Sequence, residues 1–203
     1  MESSAAEIEV KFHVQRLSEI AARILDRGGK LLSPRVHEIN LRFDTPENDL
    51  RRAGRALRLR RDAVTTLTYK GPSEMQDGIR SREELEVEVS DLDGVRRLLE
   101  GLGYEVTFVY EKHRTTYEMG NARIMLDELP YGDFVEIEGA SDALRLIAAQ
   151  LELDWGRTVS ESYMGLFDGL KRSKALPFRD LTFANFEGRS DHVTDVGLKA
   201  ADR

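Results

Sequence analysis

Charged side chains recur at every second position along several segments of this chain, and that spacing marks where its chemistry lies. Glu7, Glu9 and Lys11 alternate with Ile8, Val10 and Phe12. The alternation returns in Arg58 and Arg60 around Leu59, and in Thr66, Thr68 and Lys70 around Leu67 and Tyr69. It continues in Glu84, Glu86 and Glu88, in Lys112 and Arg114, in Arg123 and Asp127, and in Glu136 and Glu138. Successive side chains of a strand point to opposite faces, so each set shares one face. Some faces are purely acidic (84–88, 136–138) and others purely basic (58–60, 112–114). A face that only met water would mix in Ser, Thr, Gln and Asn and would not need sorting by sign. Both signs on one concave surface make a site, with bases for anionic oxygens and carboxylates for divalent cations.

A triphosphate is the ligand that needs this set. Arg forks onto two of its oxygens, and carboxylates hold Mg²⁺ against it. Phosphoryl chemistry depends mostly on positioning and charge stabilisation. It requires no Ser-His-Asp set, and the sequence offers none. His13, His37, His113 and His192 lack metal-ligand spacing, and P-loop and Rossmann glycine patterns are missing. Gly28-Gly29 reads as a helix C-cap.

The elements that must position these faces are mostly strands. Period-2 patterns mark 7–14, 37–44, 55–61, 64–70 and 82–89, then 104–118, 121–127 and 133–138. The pair 55–61 and 64–70 reads as a hairpin turning at Asp62-Ala63. Thr45-Pro46 breaks one strand, and the following residues to Arg52 make a helical turn. Residues 71–81, with Gly71, Pro72 and Gly78, read as a mobile loop at a hairpin mouth and a candidate gate. Amphipathic helices are expected over 17–28, over 91–101 with Asp91 as cap, and near 141–151 and 160–173. Strict βα alternation is absent, so the order fits an α+β, mostly antiparallel barrel. Its charged faces turn inward and its helices pack outside. A lipocalin-like barrel has the opposite polarity. The tail from Lys174, with Pro177 and three Phe residues, is expected to pack at first and to fray after Gly188.

The bulk numbers agree. The chain has 203 residues, a net charge of −7 and 33% charged residues, above the roughly 25% of ordinary domains. The acidic total argues against a nucleic-acid partner. There is no cysteine, which removes disulfides and thiolate sites and fits a cytoplasmic location. No apolar run approaches the roughly 18 residues of a membrane span, and Met1–Ala6 lack the pattern of a signal peptide.

Glu7-x-Glu9-x-Lys11 on a strand resembles the signature of the CYTH superfamily, the triphosphate tunnel metalloenzymes. The ordered set that follows supports it: Arg58-x-Arg60, Lys70, Glu84-x-Glu86-x-Glu88, Lys112-x-Arg114, Asp127 and Glu136-x-Glu138. The resemblance covers about residues 7 to 170. The stretches LRFDTPENDLR, LTYKGP, SREELEVEV, EKHRTTYE and LDELPYGDFVEIEG look most like class IV adenylyl cyclases. It implies a closed eight-stranded tunnel domain over 1–173, a C-terminal extension over 174–203 and conversion of ATP to cyclic AMP and pyrophosphate. The alternatives are a triphosphatase acting on inorganic, thiamine or nucleoside triphosphate, and a non-catalytic polyphosphate-binding module. Homodimers are common among such cyclases, and no membrane partner is expected. Carried over, the resemblance makes Lys11, Arg58, Arg60, Lys70, Lys112 and Arg114 the triphosphate-binding residues. Glu7, Glu9, Asp127, Glu136 and Glu138 would hold Mg²⁺ or Mn²⁺, and Lys11, Glu9 and Asp127 would be catalytic. Glu86, Glu88 and Arg123 would support them, with Arg82 of suitable parity.

Overall fold

The computed structural model describes residues 6–202. Eight strands form a closed antiparallel barrel in the order β1-β5-β4-β3-β2-β6-β7-β8. They are β1 (Ala6–Val14), β2 (Lys30–Asp44), β3 (Ala56–Arg61), β4 (Thr65–Gln76), β5 (Ile79–Val89), β6 (Glu105–Met119), β7 (Ala122–Leu129) and β8 (Gly132–Glu138). Closure falls on β1, which pairs with β5 through Ala6 to Glu9 and with β8 through Glu9 to Val14.

The apolar faces of the strands lie outside, where the helices cover much of their surface. Val10, Phe12, Ile124, Leu126, Val135 and Ile137 pack against Ile20 and Ile24 of α1 (Leu17–Asp26) and Leu144 and Ile147 of α4 (Ser141–Gln150). Leu59 and Phe43 meet Leu99 of α3 (Leu92–Gly101), whose first turn is fixed by the Asp91 carboxylate accepting from Gly94 N. Leu59 has no solvent exposure, and burying one such side chain contributes about 1.5–3 kcal/mol. Ile8 is partly buried against the first of these clusters, and Val87 is exposed on the outer face. The alternation therefore resolves as expected, with oil outside and charge within. Among the described residues no helix is long and apolar enough to cross a membrane.

Three expectations are corrected. Residues 71–81 are not a loop: β4 and β5 continue as a paired hairpin out to Gln76 and Ile79. Asp77 and Gly78, both at positive φ (51° and 82°), make its two-residue turn, which matches the twist of the strands. Gly71 and Pro72 fall inside a register shift between Lys70 and Ser73. The hairpin tip is pinned from below, where Trp155 Nε1 donates to Asp77 O at 3.0 Å. Second, β2 begins at Lys30 and absorbs irregularities around Ser33, so it is far longer than the 37–44 expected.

Third, the tail does not fray after Gly188. Leu181 and Val193 are fully buried around α5 (Tyr163–Lys174) and the short α6 (Phe183–Phe186). Ala201 N donates to His13 O, and the Asp202 carboxylate accepts from the backbone of Gln15 and Arg16. Thus residues 174–202 form a strap that ends against β1. The remaining helix, α2 (Asp49–Arg52), is the helical turn expected after Pro46, and the Asp44 carboxylate accepts from Leu50 N and Arg51 N to hold it.

Candidate active site

The barrel encloses a cavity of about 610 Å³. Ten Lys and Arg side chains and six Glu side chains line it, so its wall carries an excess of positive charge. Of the residues singled out from sequence, Glu7, Glu9, Lys11, Arg58, Arg60, Lys70, Arg82, Glu86, Lys112, Arg114, Arg123, Glu136 and Glu138 all reach it. Two do not. Glu88 is exposed and lies outside the lining. Asp127 sits behind the wall with no solvent exposure.

Asp127 is the centre of a saturated network. Lys112 Nζ lies 3.0 Å from it, Arg114 donates through Nε and Nη2 at 2.6 Å each, and Tyr163 OH donates at 2.8 Å. Arg114 Nη2 also reaches Glu136 at 2.6 Å, and Lys11 lies 3.2 Å from Glu136. Glu38 completes the set, 3.4 Å from Lys112. Burial pushes the carboxyls of Glu38 and Glu136 up, but their cation neighbours win. Glu38 falls to about 2, under Lys112, Arg114, Arg60 and Arg58, and Glu136 falls well below the ordinary carboxylate value. Here the first turn of α5 closes the lumen. Its Tyr163 ring lies 4.1 Å from Lys11 Nζ, and Ser162 Oγ caps the helix at Gly165 N.

The β2–β3 wall is different. Arg42 faces Arg58 across the ladder, and Asn40 faces Arg60. Arg58 and Arg60 lean on Thr68 and Thr66 at 3.3 and 3.4 Å, and Glu86 lies 3.8 and 3.7 Å from them. The buried Nε atoms of Arg42, Arg58 and Arg60 have no hydrogen-bond partner among the described residues, although Asp62 lies 3.1 Å from that of Arg60. Arg42 forms no ion pair among the described residues. Its pKa is lowered, first by burial and then by Arg58 and Arg82. The field there is positive enough to act on a phenol: burial pushes Tyr110 up, yet Arg58 and Lys112 outweigh it and its pKa is lowered.

The opposite, acidic mouth gathers Glu7, Glu9 and Glu138 with Arg80 and Arg82. Glu9 pairs with Arg80 at 3.1 Å, and Glu7 with Arg82 at 2.8 Å. Arg80 also donates to Ser160 O. Lys70 bridges Glu7 (2.9 Å) and Glu84 (2.7 Å). Those two carboxyls are coupled through a hydrogen bond. Burial raises both, but the hydrogen bond from Glu84 and the charges of Lys70 and Arg82 bring Glu7 to about 2. Burial, that same hydrogen bond and the Glu7 charge hold Glu84 at about 7. Glu138 has no ion pair among the described residues, and its pKa is raised by burial and by the charges of Glu7 and Glu9.

Carboxylate oxygens are the donors a hard divalent cation takes, and Glu138 beside Glu7 and Glu9 is a suitable set. Among the described residues no three acidic or histidine side chains converge as a preassembled metal cluster. Glu7, Glu9 and Glu136 are each turned onto a lumen cation instead. Asp127, with its oxygens taken by three side chains, does not fit as a ligand.

Sequence reasoning missed Glu38, Arg42, Arg80 and Tyr163, and gave Glu84 no role. Glu38, Asn40 and Arg42 alternate with Ile39, Leu41 and Phe43, so the parity signal was present in β2. Arg80 was hidden by reading 71–81 as a loop.

Residues 5–153 match the family model described as CYTH domain. A Methanocaldococcus jannaschii protein named as a candidate adenylate cyclase is 27% identical over 134 residues, covering 65% of this chain and 75% of its own length. The crystal structure of a candidate adenylate cyclase from Vibrio parahaemolyticus superposes with a TM-score of 0.72 at 23% identity, over 79% of this chain and 97% of that one. A Hippeastrum protein, described as a candidate adenylyl cyclase with a dominant triphosphatase activity, gives 0.52 at 22% identity, over 90% and 96%.

Proposed function

The chain belongs to the CYTH domain family, and from that premise we propose that it is a divalent-metal-dependent enzyme acting on a triphosphate in the lumen, as an adenylate cyclase of the class IV type. The observation that carries the reading is the surplus of cations, with the buried, unpartnered Nε atoms of Arg42 and Arg58. An unspent N–H in a positive, enclosed wall is matched by an anionic oxygen. Adenylate cyclase is also the name carried by the Methanocaldococcus relative.

Arg42, Arg58, Arg60 and Lys112 would grip the phosphates, with Lys11 and Lys70 at the boundary between the two poles. Glu7, Glu9, Glu136 and Glu138 would hold Mg²⁺ or Mn²⁺. When bound, the cation would neutralise phosphate charge and lower the pKa of an attacking hydroxyl. The ion pairs of the empty lumen are then exchangeable. Lys70, Arg80 and Arg82 neutralise Glu7 and Glu9 until the ligand arrives, and afterwards are free to turn onto phosphate oxygens. Positioning and charge stabilisation supply most of the catalysis in phosphoryl transfer. Asp127, assigned a metal and catalytic role from sequence, acts through Lys112, Arg114 and Tyr163 by fixing them.

The second reading is hydrolysis of the terminal phosphate of a triphosphate, supported by the Hippeastrum protein. Incubation of the pure protein with ATP, tripolyphosphate and thiamine triphosphate, each with Mg²⁺ or Mn²⁺, separates the readings. Cyclic AMP and pyrophosphate are expected from ATP. Orthophosphate release alone would establish the triphosphatase, and binding without turnover a polyphosphate-binding module.

A further inference from the structure

Outside the barrel wall, the β2–β6 ladder carries a second cluster of metal-ligating side chains. His37 and His113 are paired across it, each next in sequence to a buried, inward-facing residue, Glu38 and Lys112. Successive side chains of a strand face opposite ways, so both imidazoles stand on the outer surface. Their ring centres lie 5.0 Å apart, with the planes tilted by 33°. Two imidazoles bound at about 2.1 Å in a tetrahedral zinc shell place their ring centres about 5 Å apart, so the ladder already sets the spacing of a chelate. Glu111, two residues before His113 and on the same face, brings a carboxylate oxygen to 3.9 Å from His37 Nε2. The strap anchors that carboxylate. Phe183 N donates to Glu111 Oε2 at 3.0 Å, and the Phe183 ring lies 4.8 Å from that of His113.

The imidazoles are suited to ligation. His113 Nδ1 is buried and has no hydrogen-bond partner among the described residues. Burial, then the charges of Arg35 and His37, lower the pKa of His113 and favour the neutral ring, which is the form that binds metal. His37 is exposed and gives a cation a route from solvent. Glu128, opposite His113 on β7, is excluded from the set, because Arg35 holds it through two bonds of 2.7 and 3.0 Å. We propose that His37, His113 and Glu111 form a second metal site, for a nitrogen-preferring divalent cation such as Zn²⁺, with water completing the shell. Among the described residues the three do not converge as a finished cluster, and Glu111 closes the remaining gap by a turn of its side chain. Imidazole sets this site apart from the lumen, whose carboxylates suit Mg²⁺. It is independent of the triphosphate reading. A cation bound there ties β2, β6 and the strap together at one point, directly behind Glu38 and Lys112.

Calorimetric titration with Zn²⁺, with Mg²⁺ in excess to serve the lumen carboxylates, tests the site. The wild type should bind one Zn²⁺ tightly. His37→Ala and His113→Ala should each weaken that binding by at least about ten-fold, and Glu111→Gln by less. In chelator the two histidine variants should melt with the wild type, which certifies that they fold. Added Zn²⁺ should then raise the melting temperature of the wild type and leave theirs unmoved. Electron paramagnetic resonance of bound Cu²⁺ gives a direct signature. Nitrogen hyperfine coupling should appear in the wild type, persist in Glu9→Gln and vanish when His37 and His113 are both replaced by alanine. Zn²⁺ binding unaltered in both histidine variants, or a Cu²⁺ spectrum without nitrogen coupling, would overturn the site.

Discussion

The two poles of the lumen use the same residue types to opposite ends. Around Asp127 each carboxylate and cation sits in an ion pair, and exposure is nil for Asp127 and 2% for Glu38 and Lys112. Around Glu138 the charges outnumber their fixed partners: Glu138 lacks an ion pair among the described residues, Arg123 is exposed, and burial with the Glu7 charge holds Glu84 up at about 7. The lesson is that a charged lumen has a tightly paired pole and a more open one. Composition does not tell them apart, but the completeness of pairing does. Removing one partner of a sealed network strands the rest in low dielectric, whereas removing one member of an open set leaves water or ligand to compensate.

The sharpest way to break this contrast is Asp127→Ala. It takes the shared carboxylate from Lys112, Arg114 and Tyr163, leaving buried cations in excess over Glu38 and Glu136, and should cost about 3–5 kcal/mol of stability in denaturant titration. Glu9→Gln should cost no more than about 1 kcal/mol, because Arg82 keeps Glu7 and Arg80 keeps Ser160 O, while turnover and metal affinity fall. Equal losses from the two substitutions would erase the distinction.

Next in size is Arg60→Ala, which should weaken triphosphate binding by about 2–5 kcal/mol with little loss of stability in the empty protein. Calorimetry against thermal melts reads both effects.

A smaller effect follows from the coupled Glu7–Glu84 pair. The folded-state pKa of Glu84 is raised to about 7 from its ordinary 4.5, so its contribution is full below 4.5 and is lost as pH rises through 7. That of Glu7 is lowered to about 2, so its contribution is present above 4.5 and is lost as pH falls toward 2. Glu84→Gln should flatten the decline in melting temperature between about pH 5 and 8 and leave the acid limb in place. An unaltered profile would contradict the coupling of this pair. Smallest of all, Glu88→Gln should shift stability by less than about 0.5 kcal/mol and leave turnover unchanged, since Glu88 faces solvent.

Much of this was legible in the sequence. Period-2 alternation put Glu7, Lys70, Lys112 and Glu136 on one inward surface, because a strand has only two faces. Asp91 announced its helix by the side chain that caps it. What escaped depended on partners distant in sequence. The saturation of Asp127 needs the β6–β7 register and a tyrosine from α5, thirty-six residues away. The hairpin beyond Lys70 was obscured because Gly71 and Pro72 mark a shift in the ladder as readily as a loop, although Asp77-Gly78 carried the turn signal. The strap over β1 depends on Asp202 finding two backbone donors, which no local pattern announces.

Because β1 is bonded on both sides, the wall is a continuous hoop. Like-charged guanidinium groups facing one another across it would drive an open sheet to splay. In a ring, that outward pressure is carried as tension by hydrogen bonds around the whole girth. The guanidinium groups are thus held at their spacing before any ligand arrives, and the work of crowding them together belongs to folding, not to capture.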